Sequence, residues 1–133
     1  MKSRDSGFGI RDEVARPHQR LDVWQDAMAL VEAIYRFSRA FPIAERYALT
    51  SQMRRAAISV PSNLAEGAAR RSTQDYLRFL SIARGSLSEL DTQIEIAHRL
   101  GFASLSDELT ALVDRVFAKL NALIRSLENA SAT

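Results

Sequence analysis

The chain has 133 residues, 47% of them hydrophobic, and a formal net charge of +2, enough material for one buried core and one domain. It contains no cysteine, which excludes disulfides, a thiolate nucleophile and cysteine-based zinc or iron-sulfur sites, and suits a reducing cytoplasm. The amino terminus holds no apolar run long enough for a signal-peptide core or a membrane span, so a soluble, cytoplasmic protein with no membrane attachment is expected.

Residues 1–20 carry five basic and three acidic groups and account for the whole net charge; they are expected to form a disordered tail. From residue 21 apolar side chains recur at spacings of three and four, with no strand-like alternation, so the fold class is all-α. Asp22 and Gln25 have capping-box spacing and open helix one. Its inner stripe is Val23, Ala27, Leu30, Ile34, Phe37 and Phe41, and Pro42 ends it. A second apolar row, Trp24, Met28, Val31 and Tyr35, lies about 100° round the same helix and asks for more than one neighbour.

Helix two is expected over residues 45–71, with Leu49, Met53, Ala56, Val60 and Leu64 facing inward. Ser72 with Asp75 signals a third helix, whose Tyr76, Leu80, Ala83, Leu87, Leu90, Ile94 and Ala97 keep an unbroken rhythm until Gly101. Ser104 and Asp107 are read as the cap of helix four, with Leu105, Leu109, Leu112, Val116, Leu120, Leu123 and Leu127 as its stripe and Val113, Phe117 and Ile124 widening it. Residues 130–133 are expected to fray. Short connections leave consecutive helices as neighbours, so an antiparallel up-down-up-down four-helix bundle over residues 21–129 is predicted. Ile82 and Ile96 point away from the helix-three stripe and join the Trp24 row as surface that self-association would cover.

Pro61 falls inside helix two. It removes a backbone donor and crowds the carbonyl of Ala57, at a cost of roughly 3 kcal/mol in a helix interior, so a kink is expected there. Ser59, Ser62 or the amide of Asn63 could serve the freed carbonyl, and Asn63 with Glu66 has the spacing of a capping box should the helix restart. Gly67 would let a neighbour approach closely. The polar groups satisfying one another within the bundle is one reading of this segment, and a binding site beside the kink is the other.

Three segments resemble a known family: residues 21–28 (LDVWQDAM), 49–67 (LTSQMRRAAISVPSNLAEG) and 83–90 (ARGSLSEL) are similar to the four-helix-bundle proteins first noticed as reading frames in intervening sequences of bacterial 23S ribosomal RNA genes. The resemblance covers roughly residues 21–128. It implies a cytoplasmic bacterial protein, an antiparallel bundle and a ring-like homopentamer. A related branch, the accessory proteins of diversity-generating retroelements, is similar in fold and works with a reverse transcriptase and nucleic acid through basic surfaces. The family pattern coincides here at Arg54, Arg55, Ser59, Pro61, Asn63, Glu66, Gly67, Arg84 and Glu89, none of which the resemblance makes catalytic.

Arg84 and Glu66 read physically as charges inside or beside the bundle that need partners. Arg54 and Arg55 lie about 100° apart, so at most one faces inward while the other is available to a subunit or a phosphate. Arg70 and Arg71 are further candidates for RNA or DNA contact, although cations also favour a helix C-terminus. A di-iron bundle needs two Glu-x-x-His pairs; Glu95 and His98 form one, and the other histidine, His18, falls in the expected tail. No metal, cofactor or small-molecule substrate is expected, and no hydrolase arrangement is legible. The sequence therefore points to a non-enzymatic homo-oligomeric bundle, a nucleic-acid-associated accessory factor, with a structural or protein-binding scaffold as the alternative.

Overall fold

The computed structural model describes residues 15–132, which form four helices: α1 (Asp22–Ser38), α2 (Leu49–Ala68), α3 (Thr73–Arg99) and α4 (Asp107–Ala132). Two 3-10 turns, Pro17–Arg20 and Ile43–Glu45, precede α1 and α2, and no strand occurs among the described residues. The protein is all-α. α1 packs on α2 and α4, and α3 packs on the same two helices; the backbones of α1 and α3, and of α2 and α4, do not approach each other.

The apolar stripes meet in one core. Leu30 and Ile34 of α1, Met53, Val60 and Leu64 of α2, Leu80, Leu87 and Leu90 of α3, and Val116 and Leu120 of α4 are sealed from solvent. Each is worth about 1.5–3 kcal/mol of transfer free energy. On α4 the buried line is Leu109, Val113, Val116, Leu120 and Ile124, whereas Leu112, Leu123 and Leu127 are half-buried. The stripe is thus rotated toward the residues expected only to widen it, because α1 and α3 flank α4 from both sides.

Helix ends follow their local chemistry. The Ser72 hydroxyl accepts from the Asp75 N–H at 3.1 Å, as expected, and starts α3. Gly101, with φ of 75°, closes α3 in a Schellman arrangement: Phe102 N–H donates to Ala97 and Gly101 N–H to His98. At α4 the cap is Ser106, whose Oγ accepts from Leu109 N–H at 3.1 Å, rather than Ser104. Asp22 is the first residue of α1, after Leu21, so no capping box forms there; Gln25 instead reaches back to the Gln19 carbonyl. α1 stops at Ser38, whose hydroxyl bonds the Ile34 carbonyl at 2.8 Å, three residues short of the expected end.

α2 is also shorter than expected. Residues 43–48 close 3-10-type bonds from Glu45, Arg46 and Ala48 to the carbonyls of Pro42, Ile43 and Glu45, so the helix begins only at Leu49, and Arg70 and Arg71 lie beyond its end. The expected tail falls outside the described residues for positions 1–14. Within residues 15–20 the 3-10 turn packs on α1 and α2, and His18 meets Trp24 edge-on at 4.9 Å between ring centroids. Of the expected fraying end, residues 130–132 continue α4 and Thr133 lies outside the described residues.

Candidate functional site

The polar residues around Pro61 sort into a seam and a surface. In the seam between α2 and α3, the Ser59 and Ser86 hydroxyls lie 2.8 Å apart, and the Asn63 amide donates to both the carbonyl and the hydroxyl of Ser59, at 2.8 and 2.9 Å. Asn63 therefore serves the carbonyl four residues before it and not that of Ala57, and α2 runs through Pro61 without restarting. One turn on, Gly67 is buried, and a Cβ there would stand 3.0 Å from Phe79 Cβ and 3.0 Å from the Tyr76 ring. Burial of Tyr76 against this position pushes its phenol pKa up.

Ser62, Glu66, Arg84 and Glu89 stay outside the seam. Ser62 is exposed. Glu66 pairs with Arg70 at 2.8 Å, Arg84 donates to Asn121 at 3.0 Å, and Glu89 accepts from Gln93 at 3.2 Å. Glu66 and Arg84, expected as charges needing partners in or beside the bundle, are exposed and bonded separately, one to a residue just past the end of its own helix and the other to α4.

The four candidate arginines divide evenly. Arg54 lies across α1: its Nε donates to Ser38 Oγ at 2.9 Å, its Nη2 to the Tyr35 carbonyl at 3.4 Å, and the guanidinium sits 4.4 Å from the Tyr35 ring centre. Arg70 is held by Glu66 and stacks 4.7 Å from the Phe79 ring, which Arg78 also approaches at 4.8 Å. Arg55 and Arg71 are exposed and form no ion pair among the described residues.

The candidate interface residues are not one patch. Trp24, Val31 and Tyr35 are half-buried, Trp24 beneath His18 and Tyr35 beneath Arg54. Met28, Ile82 and Ile96 keep 41%, 44% and 42% of their surface in water. Reading the sequence missed Ile58 on α2, comparably exposed, and Ile43, Tyr47 and Leu100 at the helix ends, which are more exposed still. Ile58 escapes because it belongs to no stripe; Ile43 and Tyr47 escape because residues 43–48 have helix-compatible composition while their hydrogen bonds close only three residues back. Ser86 lies inside the family-like segment but has no visible partner until α2 is docked.

Glu95 turns to Arg99 at 2.8 Å, a bond that holds its carboxyl below the usual range. It and His98 are exposed, and no group of three or more His, Cys, Asp or Glu that could hold a metal ion exists among the described residues. No helix among these residues is long and apolar enough to cross a membrane. The class so defined is an all-α, four-helix protein whose distinguishing residues make a helix seam and exposed outer faces. The match to the 23S rRNA-intervening sequence protein family spans residues 19–122, and the chain belongs to that family. No curated protein matches it.

Proposed function

We propose that the protein is a non-catalytic, self-assembling helical bundle, a homo-oligomer that resemblance makes a pentamer, acting as a cytoplasmic scaffold or accessory factor. The observation that carries this reading is the set of large apolar side chains left in water on helix faces and helix ends, from Ile58 and Ile82 to Ile43 and Tyr47, which a second copy would cover. Within each copy the helices run antiparallel, up-down-up-down. Support comes from contacts that run in opposite order along neighbours: Ser59 with Ser86 and Gly67 with Tyr76 between α2 and α3, and Asp22 with Lys119 and Asp26 with Arg115 between α1 and α4. α2 bends at Pro61, which has no N–H for the Ala57 carbonyl.

Sedimentation equilibrium at micromolar concentration tests the assembly. A discrete oligomer of about five chains is expected, and a well-behaved monomer overturns the reading.

A nucleic-acid role is the second reading. It is favoured by Arg55 and Arg71, which have no carboxylate partner among the described residues, and by Arg16 and Arg20 beside α1; the anchoring of Arg54 and Arg70 within the fold weighs toward a scaffold instead. Repetition of a weak basic patch around an oligomer would add avidity. Retention of RNA or DNA that weakens steeply with salt supports it, and absence of retention at low ionic strength removes it.

A further inference from the structure

One end of the bundle carries a knob on one edge and a groove on the other. In the α1–α2 loop, Ile43 and Tyr47 are 80% and 88% exposed, yet the backbone that bears them is firmly held. The N–H groups of Glu45, Arg46 and Ala48 close 3-10 bonds, Glu45 Oε1 accepts from Leu49 N–H at 3.4 Å, and buried Phe41 anchors the loop against Phe102 of the α3–α4 loop. A slack loop would fold such side chains back, whereas this one holds them in water, preorganised for a partner. Two exposed cations, Arg39 and Arg46, flank them.

On the α3–α4 edge a groove of about 560 Å³ lies between the last turns of α3 and the first of α4. Ile94, Ile96, Leu105 and Val113 line it, and its Asp91 and Asp114 have no ion pair among the described residues. The Phe41–Phe102 contact puts knob and groove at the same end of the bundle. Because α1 and α3 are diagonal, as are α2 and α4, the α1–α2 and α3–α4 edges face in opposite directions, and a chain cannot fill its own groove.

We propose that the loop of one copy, through Ile43 and Tyr47, seats in the α3–α4 groove of the next, with Arg39 and Arg46 meeting Asp91 and Asp114. This inference rests on the self-assembly reading above and gives it a contact. The contact joins two different surfaces, so it is heterologous, and copies repeat it into a ring when the rotation between them closes. Apolar burial supplies the affinity, and the opposite charges select register and partner.

The test uses two variants at solvent-exposed positions, Tyr47→Asp in the knob and Ile96→Arg in the groove, with circular dichroism to confirm the fold of each. Each alone should weaken association about 30-fold or more, the scale of an interface hot spot. Mixed together they should form dimers and stop, because one intact knob meets one intact groove. The absence of cysteine permits a second measurement: oxidised Tyr47→Cys/Ile96→Cys protein should run as a ladder of cross-linked copies. Normal assembly of both single variants, with no ladder, overturns this contact and leaves self-assembly standing; that result would give the groove to another protein. A monomeric parent chain overturns both.

Discussion

The α2–α3 seam and the α1–α4 seam hold the same bundle together by different means. Between α2 and α3 the backbones meet where Gly67 has no side chain, and the polar groups are neutral hydroxyls and an amide bonded to one another. Between α1 and α4 the tie is ionic: Asp26 lies 2.7 Å from Lys119 and 3.3 Å from Arg115, and Asp22 lies 3.7 Å from Lys119. The first seam depends on volume, and its hydroxyl–amide bonds are indifferent to acid and salt. The ionic tie of the second titrates and is screened. Substitutions that separate steric from ionic dependence therefore test the comparison directly.

The largest effect is expected at Gly67. A Cβ at that position meets Phe79 Cβ and the Tyr76 ring at 3.0 Å, with the Tyr76 carbonyl at 3.3 Å, and Phe79 Cβ cannot move without its backbone. Gly67→Val should lower unfolding free energy by about 3 kcal/mol, the upper range for overpacking, read as a lower urea midpoint. Gly67→Ala should lose less, since the crowding is partly offset by about 1 kcal/mol of helix propensity. If the valine variant stays within about 0.5 kcal/mol of the parent, the scatter of ordinary surface substitutions, the seam is looser than its geometry and the comparison breaks.

Ser59→Ala comes next, at about 1–2 kcal/mol, because one hydroxyl serves both Ser86 and Asn63 and its loss strips partly buried groups of a partner. A double-mutant cycle with Ser86→Ala should give a coupling of about 0.5 kcal/mol or more. That coupling should not change with added salt; salt sensitivity would place the seam with its ionic counterpart. Gly85 is a control in the opposite direction. It sits exposed in the middle of α3 with nothing within 4 Å of a Cβ, so Gly85→Ala should stabilise the isolated bundle by about 0.5–1 kcal/mol. A loss instead would show that this outer face is crowded in the assembled state.

The two seams were unequally legible in the sequence. Gly67 and the cluster at residues 59–63 announce themselves, since glycine, proline and asparagine are out of place inside a helix, and the close approach to Gly67 was anticipated. Ser86 was not, because a serine on a helix is unremarkable until the facing helix supplies Ser59. The core line of α4 was misplaced by one residue in places, as Leu112 and Val113 are equally apolar and only the positions of α1 and α3 choose between them. Asp26 gave no signal at all. Its partners, Arg115 and Lys119, lie 89 and 93 residues away, and nothing local links them before α4 returns along α1. The exposed Ile43 and Tyr47 were hidden by a different ambiguity: residues 43–48 have helix-compatible composition, but their hydrogen bonds close three residues back.

The smallest effect, and the one that isolates the ionic seam, is the pH dependence of Asp26. The Lys119 hydrogen bond and charge, with Arg115 adding to them, hold its carboxyl below the reference value of 3.8, against a burial contribution in the opposite direction. A pKa lowered by folding means that the charged form is favoured by the native state, so its stabilisation is complete above the unfolded value of 3.8 and disappears as pH falls through the lower folded value. Lys119 is shifted upward by the same contact, so its share is present throughout neutral pH and is lost only in strong alkali. Asp26→Asn should therefore melt slightly below the parent at about pH 6, and the gap should close as pH drops below 3.8 or as salt rises. The Ser59→Ala gap should hold under both treatments. If instead the Asp26→Asn deficit persists unchanged in acid, the contact acts through packing of the aspartate against α4, and the two seams differ in composition but not in kind.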